Sequence, residues 1–173
     1  ILDLEEQVGT SVYYSGSIKK GVLNGDLYFK FRGDPELDSK KLKSLIDSVA
    51  NLGISKINGE IVIDDSEFDQ EYFGSGWNVD QTRFCYSAPI SAIIHNRNCY
   101  YIAVNAMSNG SLDFRSEEKP YTFEVINQAQ ETSFDKFCSL ELKANGDNSY
   151  LLSGCYQAKD FPITLKMAMQ NPR

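Results

Sequence analysis

At 173 residues, 42% hydrophobic and 24% charged, the chain has the composition of a globular protein able to bury a sizeable core. Seventeen basic residues against 24 acidic give a formal charge of −7 and a pI of about 4.7, which sets the chain against phosphate backbones and argues against nucleic-acid binding. No apolar run approaches the ~18 residues of a membrane span, so no transmembrane segment is expected.

In chain order, the opening at Ile1 without a methionine or a signal-like stretch, and the close on "LKMAMQNPR", read as a fragment or processed product. "TSVYYSG" (10–16) and "DLYFKFR" (26–32) are β-branched and aromatic runs, hence strands, joined by a segment rich in turn residues. That segment holds a Ser-x-x-Lys at Ser17 and Lys20, the spacing at which some acyl enzymes carry a serine nucleophile and its lysine base. Such a pair works when the serine opens a helix, so that the amine one turn later lies on the same face. Here it stands between Gly16 and Gly21 without helical periodicity, and neither Ser-x-Asn nor Lys-Thr-Gly follows anywhere in the chain. A hairpin turn is the expectation, and the motif is a coincidence.

After Pro35, Asp38 is placed to cap a helix in which Leu42, Leu45, Ile46, Val49 and Leu52 recur until Gly53. "INGEIVIDD" follows as a strand, giving the strand-helix-strand order of an α/β unit. Asp64 and Asp65 at its end could hold Mg²⁺ for phosphoryl transfer, but no phosphate-cradling glycine loop accompanies them, and turn and cap duties are the better reading. "QEYFGSGWNVDQTRF" is glycine-rich and irregular, a loop beside a cleft. His95, the one histidine, could serve as a general base but has no evident nucleophile.

From Asn98 the pattern changes to short runs, "CYYIAVNA", "SLDF", "YTFEVIN", "SLELKA" and "SYLLSGCY", with Asn109-Gly110 and Asn145-Gly146 as turn signals. This half is expected to be mostly antiparallel β, and "FPITLKMAMQNPR" supplies one more strand. Asn109-Gly110-Ser111 fits a glycosylation acceptor by pattern and a turn by composition. The fold class is therefore α+β.

Cysteines at 85, 99, 138 and 155 include no Cys-x-x-Cys, so a zinc site is a poor reading and no metal or cofactor is expected. An even count with short intervals fits two local disulfides, Cys85 to Cys99 and Cys138 to Cys155; four buried thiols in a cytosolic protein fit it as well.

The blocks "GDLYFKFRGDPEL", "GISKINGEIVIDDSEF", "GWNVD", "CYSAPISAIIHNRNC" and "SGCY" stand in one order from about Thr10 to Pro172. In that order and spacing they resemble the class C penicillin-binding proteins, the penicillin-binding protein 4 type of D-alanyl-D-alanine carboxypeptidase and endopeptidase, peptidase S13-like. The resemblance implies that the chain is the insertion between the family's Ser-x-x-Lys and Ser-x-Asn. It also implies a small α/β domain, residues 1–97 with 161–173, and a β-rich domain nested in it, residues 98–160. By the same resemblance the four cysteines pair as two local disulfides and the home is periplasmic.

The implied parent cleaves peptidoglycan stem peptides and cross-links through an acyl-enzyme, and β-lactams acylate the same serine; this chain would carry no catalytic residue and be inactive alone. Asp80 and Tyr86 match positions that bind the amino group of the substrate's diamino acid, with one more position between them than is usual in the family. A carboxylate suits an ammonium, and an aromatic ring can wall its pocket. Without the resemblance the two are a solvated loop aspartate and a half-buried tyrosine. The alternative function is a stand-alone secreted cell-wall-binding or interaction module.

Overall fold

The leucine and valine spacing after Pro35 closes as one helix, α1 (Ser39–Asn51), in a computed structural model that describes residues 8–116, 123–133 and 138–172. The Asp38 carboxylate accepts the Lys41 N–H at 2.7 Å, satisfying an amide that the first turn leaves without a partner. Gly53, at φ 78°, ends the helix where a side chain would be strained. Leu42, Leu45 and Val49 pack against the core, while Ile46 and Leu52 from the same periodic set face solvent. The apolar stripe is thus narrower than the sequence suggested.

The chain divides into two units. The first comprises residues 1–72 and 90–97. Its strands are β1 (Ser11–Tyr14), β2 (Ser17–Lys19), β3 (Val22–Asn24), β4 (Leu27–Lys30), β5 (Lys56–Ile57) and β6 (Ile61–Asp64). One sheet runs β1-β4-β6, with β1 antiparallel and β6 parallel to β4, so β4, α1 and β6 form the expected strand-helix-strand unit. A smaller sheet, β2-β3-β5, is likewise mixed. Leu23, Leu27, Phe29, Phe31, Leu37, Ile54 and Ala92 form the core beneath α1.

The second unit comprises residues 73–89 and 98–173. It holds β7 (Cys99–Ala106), β8 (Leu112–Ser116), β9 (Glu124–Asn127), β10 (Gln130–Glu131), β11 (Leu140–Gly146), β12 (Ser149–Tyr156) and β13 (Ile163–Ala168). One sheet is ordered β13-β7-β8, antiparallel throughout. In the other, β11 is antiparallel to β12 while β9 and β10 run parallel to it, so this half is mostly antiparallel, as expected, but not wholly. Tyr100, Ile102, Val104, Tyr150 and Met167 make its core. The expected division assigned 161–173 to the first domain; β13 instead pairs with β7 over its whole length, because its alternating Ile163, Leu165 and Met167 pack into the second core. Tyr121 and Thr122 of the expected "YTFEVIN" strand lie outside the described residues.

The Tyr150 hydroxyl donates to the Ala168 carbonyl, and burial pushes its pKa well above that of an ordinary tyrosine. Beside it Asn148, buried at φ 58°, accepts the amides of Gln170 and Asn171 at 2.8 and 3.1 Å and donates to the Asn171 carbonyl at 2.8 Å. One side-chain amide thereby bonds three backbone groups just beyond the end of β13.

Candidate functional site

Ser17 lies in β2 opposite Asn24, and Lys20 with Gly21 makes the two-residue turn to β3, at φ 49° and 79°. Two central residues at positive φ match the twist of the flanking strands, which is the chemistry of a hairpin turn. The serine and lysine stand on a hairpin, as the glycines flanking them indicated.

Asp64 and Asp65 gather no ligand set. Asp64 accepts the Ser66 amide at 3.0 Å and its hydroxyl at 2.6 Å, bonds that hold its carboxyl below the usual carboxylate range. Among the described residues no group of three or more His, Cys, Asp or Glu side chains is arranged to hold a metal ion. Asn109 forms the same kind of turn, accepting from the Ser111 amide at 3.1 Å and hydroxyl at 2.7 Å between β7 and β8.

His95 is not isolated. Its Nε2 lies 3.1 Å from the Ser39 hydroxyl in the first turn of α1, and the Asn96 amide donates to the same hydroxyl at 3.2 Å. The Ser39 amide donates to Asn96 Oδ1 at 3.3 Å, so the cluster ties the helix start to the 90–97 segment. Sequence reasoning missed this pairing across 56 residues, for which no local signal exists.

Asp80 and Tyr86 share the irregular segment 73–89. Asn78 opens a 3₁₀ turn, Val79–Gln81, by accepting the Asp80 amide at 2.9 Å, and Thr82 closes it with its hydroxyl on the Val79 carbonyl at 2.8 Å. Arg83 folds back so that its guanidinium donates to the Asp80 carbonyl and lies 4.4 Å from the Phe84 ring centre. Phe84 in turn stacks on Tyr86 with ring centres 5.5 Å apart. Phe73 and Trp77 meet edge to face at 5.7 Å.

The segment is irregular yet anchored. The Cys85–Cys99 disulfide joins it to the first residue of β7, with Cα atoms 5.2 Å apart. Phe84 bridges to Met167, the Ala168 amide donates to the Arg83 carbonyl at 2.9 Å, and Gln170 Nε2 donates to the Thr82 carbonyl at 2.8 Å. The second predicted bridge, Cys138–Cys155, joins the approach to β11 with β12 at a Cα separation of 5.5 Å. No free cysteine remains, which closes the alternative of four buried thiols.

From this frame the candidate side chains project outward. Tyr86 is 72% exposed, Val79 80%, and Asp80 is exposed; the Asp80 carboxylate makes no ion pair among the described residues. Tyr86 is therefore an exposed ring stacked on one face rather than a half-buried one. The arrangement offers an uncompensated carboxylate and a braced aromatic surface on one short segment, fit for an organic ammonium. Sequence reasoning missed Arg83 and Phe84, the residues that brace it; the aromatic pair flanking Cys85 was the available signal.

Comparison with known proteins matches this chain along its length. The sequence pattern of the family described as D-Ala-D-Ala carboxypeptidase 3 (S13) covers residues 1–173. D-alanyl-D-alanine carboxypeptidase DacB of Haemophilus influenzae is 31% identical over 173 residues, covering 98% of this chain and 36% of that protein. The D-alanyl-D-alanine carboxypeptidase of Actinomadura sp. (strain R39) is 31% identical over 93 residues, 54% of this chain and 17% of that protein. The crystal structure of penicillin binding protein 4 (dacB) from Haemophilus influenzae superposes with a TM-score of 0.82 at 29% identity, over 94% of this chain and 37% of that one. The chain thus spans little more than a third of the length of the DacB protein it matches. With the family pattern running along every residue and the same fold in a solved relative, this chain belongs to the D-Ala-D-Ala carboxypeptidase 3 (S13) family.

Proposed function

We propose that this chain is the non-catalytic insertion region of a periplasmic serine-type D-alanyl-D-alanine carboxypeptidase and endopeptidase acting on peptidoglycan stem peptides and cross-links. The observation that carries the reading is the conjunction of a family match over all 173 residues with a Ser-x-x-Lys that stands on a hairpin rather than a helix. The nucleophile then belongs to another part of the protein. It attacks the peptide bond before a terminal D-alanine, the acyl-enzyme is resolved by water, and β-lactams acylate the same serine. Two disulfides support an oxidising compartment, where such bonds persist. No helix among the described residues is long and apolar enough to cross a membrane.

Within that protein Asp80 pairs with the side-chain ammonium of the stem peptide's diamino acid, and Tyr86 walls the same pocket. The exposed Asp80 carboxylate, without an ion pair among the described residues, and the Phe84-braced Tyr86 ring support this assignment.

The test is the intact mass of this chain after incubation with excess penicillin, beside the longer protein that carries it. An adduct on the longer protein and none on this chain is the expected result. A stoichiometric adduct on this chain, mapped to Ser17, overturns the reading, and so does an open reading frame that ends with this chain as a self-contained wall-binding module.

A further inference from the structure

The two sheets of the second unit each end in a strand with one open edge. Among the described residues β11 pairs only with β12, and β13 pairs with β7 plus a single bridge from Phe84 to Met167. Between those two edges runs a groove of about 520 Å³, lined by Leu140–Lys143 on one side, Thr164–Lys166 on the other, and Arg83 with Phe84 at one end. Strand edges with unpaired amides and carbonyls are the template on which an extended peptide adds by main-chain hydrogen bonds.

One edge already does this with the chain's own backbone. The bridge at Met167 and the bond from the Ala168 amide to the Arg83 carbonyl, 2.9 Å, cover the last two residues of β13 with Arg83 and Phe84. Among the described residues the edge upstream of them, Ile163–Lys166, is left open. Its inward side chains, with Leu142 across the groove, already pack on the core, so an added strand would meet a formed apolar floor.

Charge selects the occupant. Arg83, Lys143 and Lys166 line the groove against the single carboxylate of Glu141, in a chain whose formal charge is −7. None of the three cations makes an ion pair among the described residues, whereas Lys30, Arg32, Lys41, Lys43 and Arg115 each have a carboxylate within 4.0 Å. A local surplus of unpaired positive charge on an acidic protein attracts acidic partners and repels basic ones. We infer that this groove is a docking site for an extended acidic segment of another protein, which adds as a strand to the open edge of β13 and sets its carboxylates against Arg83, Lys143 and Lys166.

Fluorescence anisotropy on the full chain tests this with a labelled peptide of about eight residues alternating valine and glutamate. Saturable binding is expected, at least about tenfold tighter than for the same peptide with lysine in place of glutamate, and weakening as salt rises. The peptide N-methylated at alternate amides keeps its charge but not its strand-pairing hydrogens, and should lose binding although the protein is untouched. Lys143→Glu combined with Lys166→Glu should abolish binding, and the Lys143→Gln, Lys166→Gln pair should weaken it with the thermal unfolding curve unchanged. Equal binding of acidic and basic peptides, full binding by the N-methylated peptide, or no saturable binding at all overturns the inference. Concentration-dependent dimerisation of the unliganded chain that the charge reversal removes would overturn it too, by making a second copy the occupant.

Discussion

Tyr86 owes its placement to neighbours rather than to burial: Phe84 stacks beneath its ring and Cys85 between them is tied to Cys99. If Asp80 and Tyr86 contact the substrate ammonium in the longer enzyme, Asp80→Asn should lower kcat/KM about tenfold for a stem peptide with a free side-chain amine, the loss of one charge-assisted hydrogen bond. Turnover of the side-chain-acetylated peptide should be unchanged, and equal losses on both would instead indicate damage to the loop. Ser17→Ala should leave penicillin acylation of that enzyme as it was, read by intact mass. Two exposed carboxylates and a half-buried one set a pH response. Lys30 holds Glu67, Lys41 holds Glu36 and Ser66 holds Asp64 below their usual ranges, chiefly by hydrogen bonds. A folded pKa lower than the unfolded one gives stability that is complete above the unfolded value and is lost as pH falls through the folded one. Urea midpoints should therefore decline as pH drops below the ordinary glutamate value of 4.5, and Glu67→Gln should shallow that decline.

At the scale of elements, α1 was legible because every signal that makes it is local. Asp38, the leucine spacing and Gly53 lie within one stretch of chain; Asp38 caps and Gly53 ends the helix as expected, and Leu42, Leu45 and Val49 of the periodic set reach the core. Asp38→Ala should cost about 1 kcal/mol, measured by denaturant unfolding, since only the Lys41 amide loses its partner. The decoy at Ser17 was legible for the same reason, its flanking glycines announcing the turn. Which strands pair was less legible, because pairing depends on partners far away in sequence. Nothing in "YTFEVIN" distinguishes a strand antiparallel to β12 from the parallel one that forms, and the His95–Ser39 contact has no local trace. The Asp80 and Tyr86 positions came from resemblance, and their bracing by Arg83 and Phe84 only from three dimensions. Gly154, at φ 86° inside β12, faces the Ser139 carbonyl where a Cβ would stand. Gly154→Ala should cost about 1–3 kcal/mol by the same measurement, combining backbone strain with a backbone clash.

Across the whole molecule, two units form, residues 1–72 with 90–97 and residues 73–89 with 98–173, and the end of the chain packs in the unit whose core its alternating side chains match. Removing one bridge by Cys85→Ala with Cys99→Ala should lower stability by about 3 kcal/mol in a denaturant titration, the entropy of the loop it closes, and should loosen the segment that bears Tyr86. All four cysteines fall in the second unit and none in the first. The first unit holds no cysteine, yet its 90–97 segment, with Ala92 of its core, lies within the loop that the Cys85–Cys99 bridge closes, so thiol oxidation bears on it as well. The second unit carries both bridges, so a cell short of oxidising power would leave it weaker by about 3 kcal/mol for each bridge not formed, in the unit that bears Asp80, Tyr86 and the open strand edges.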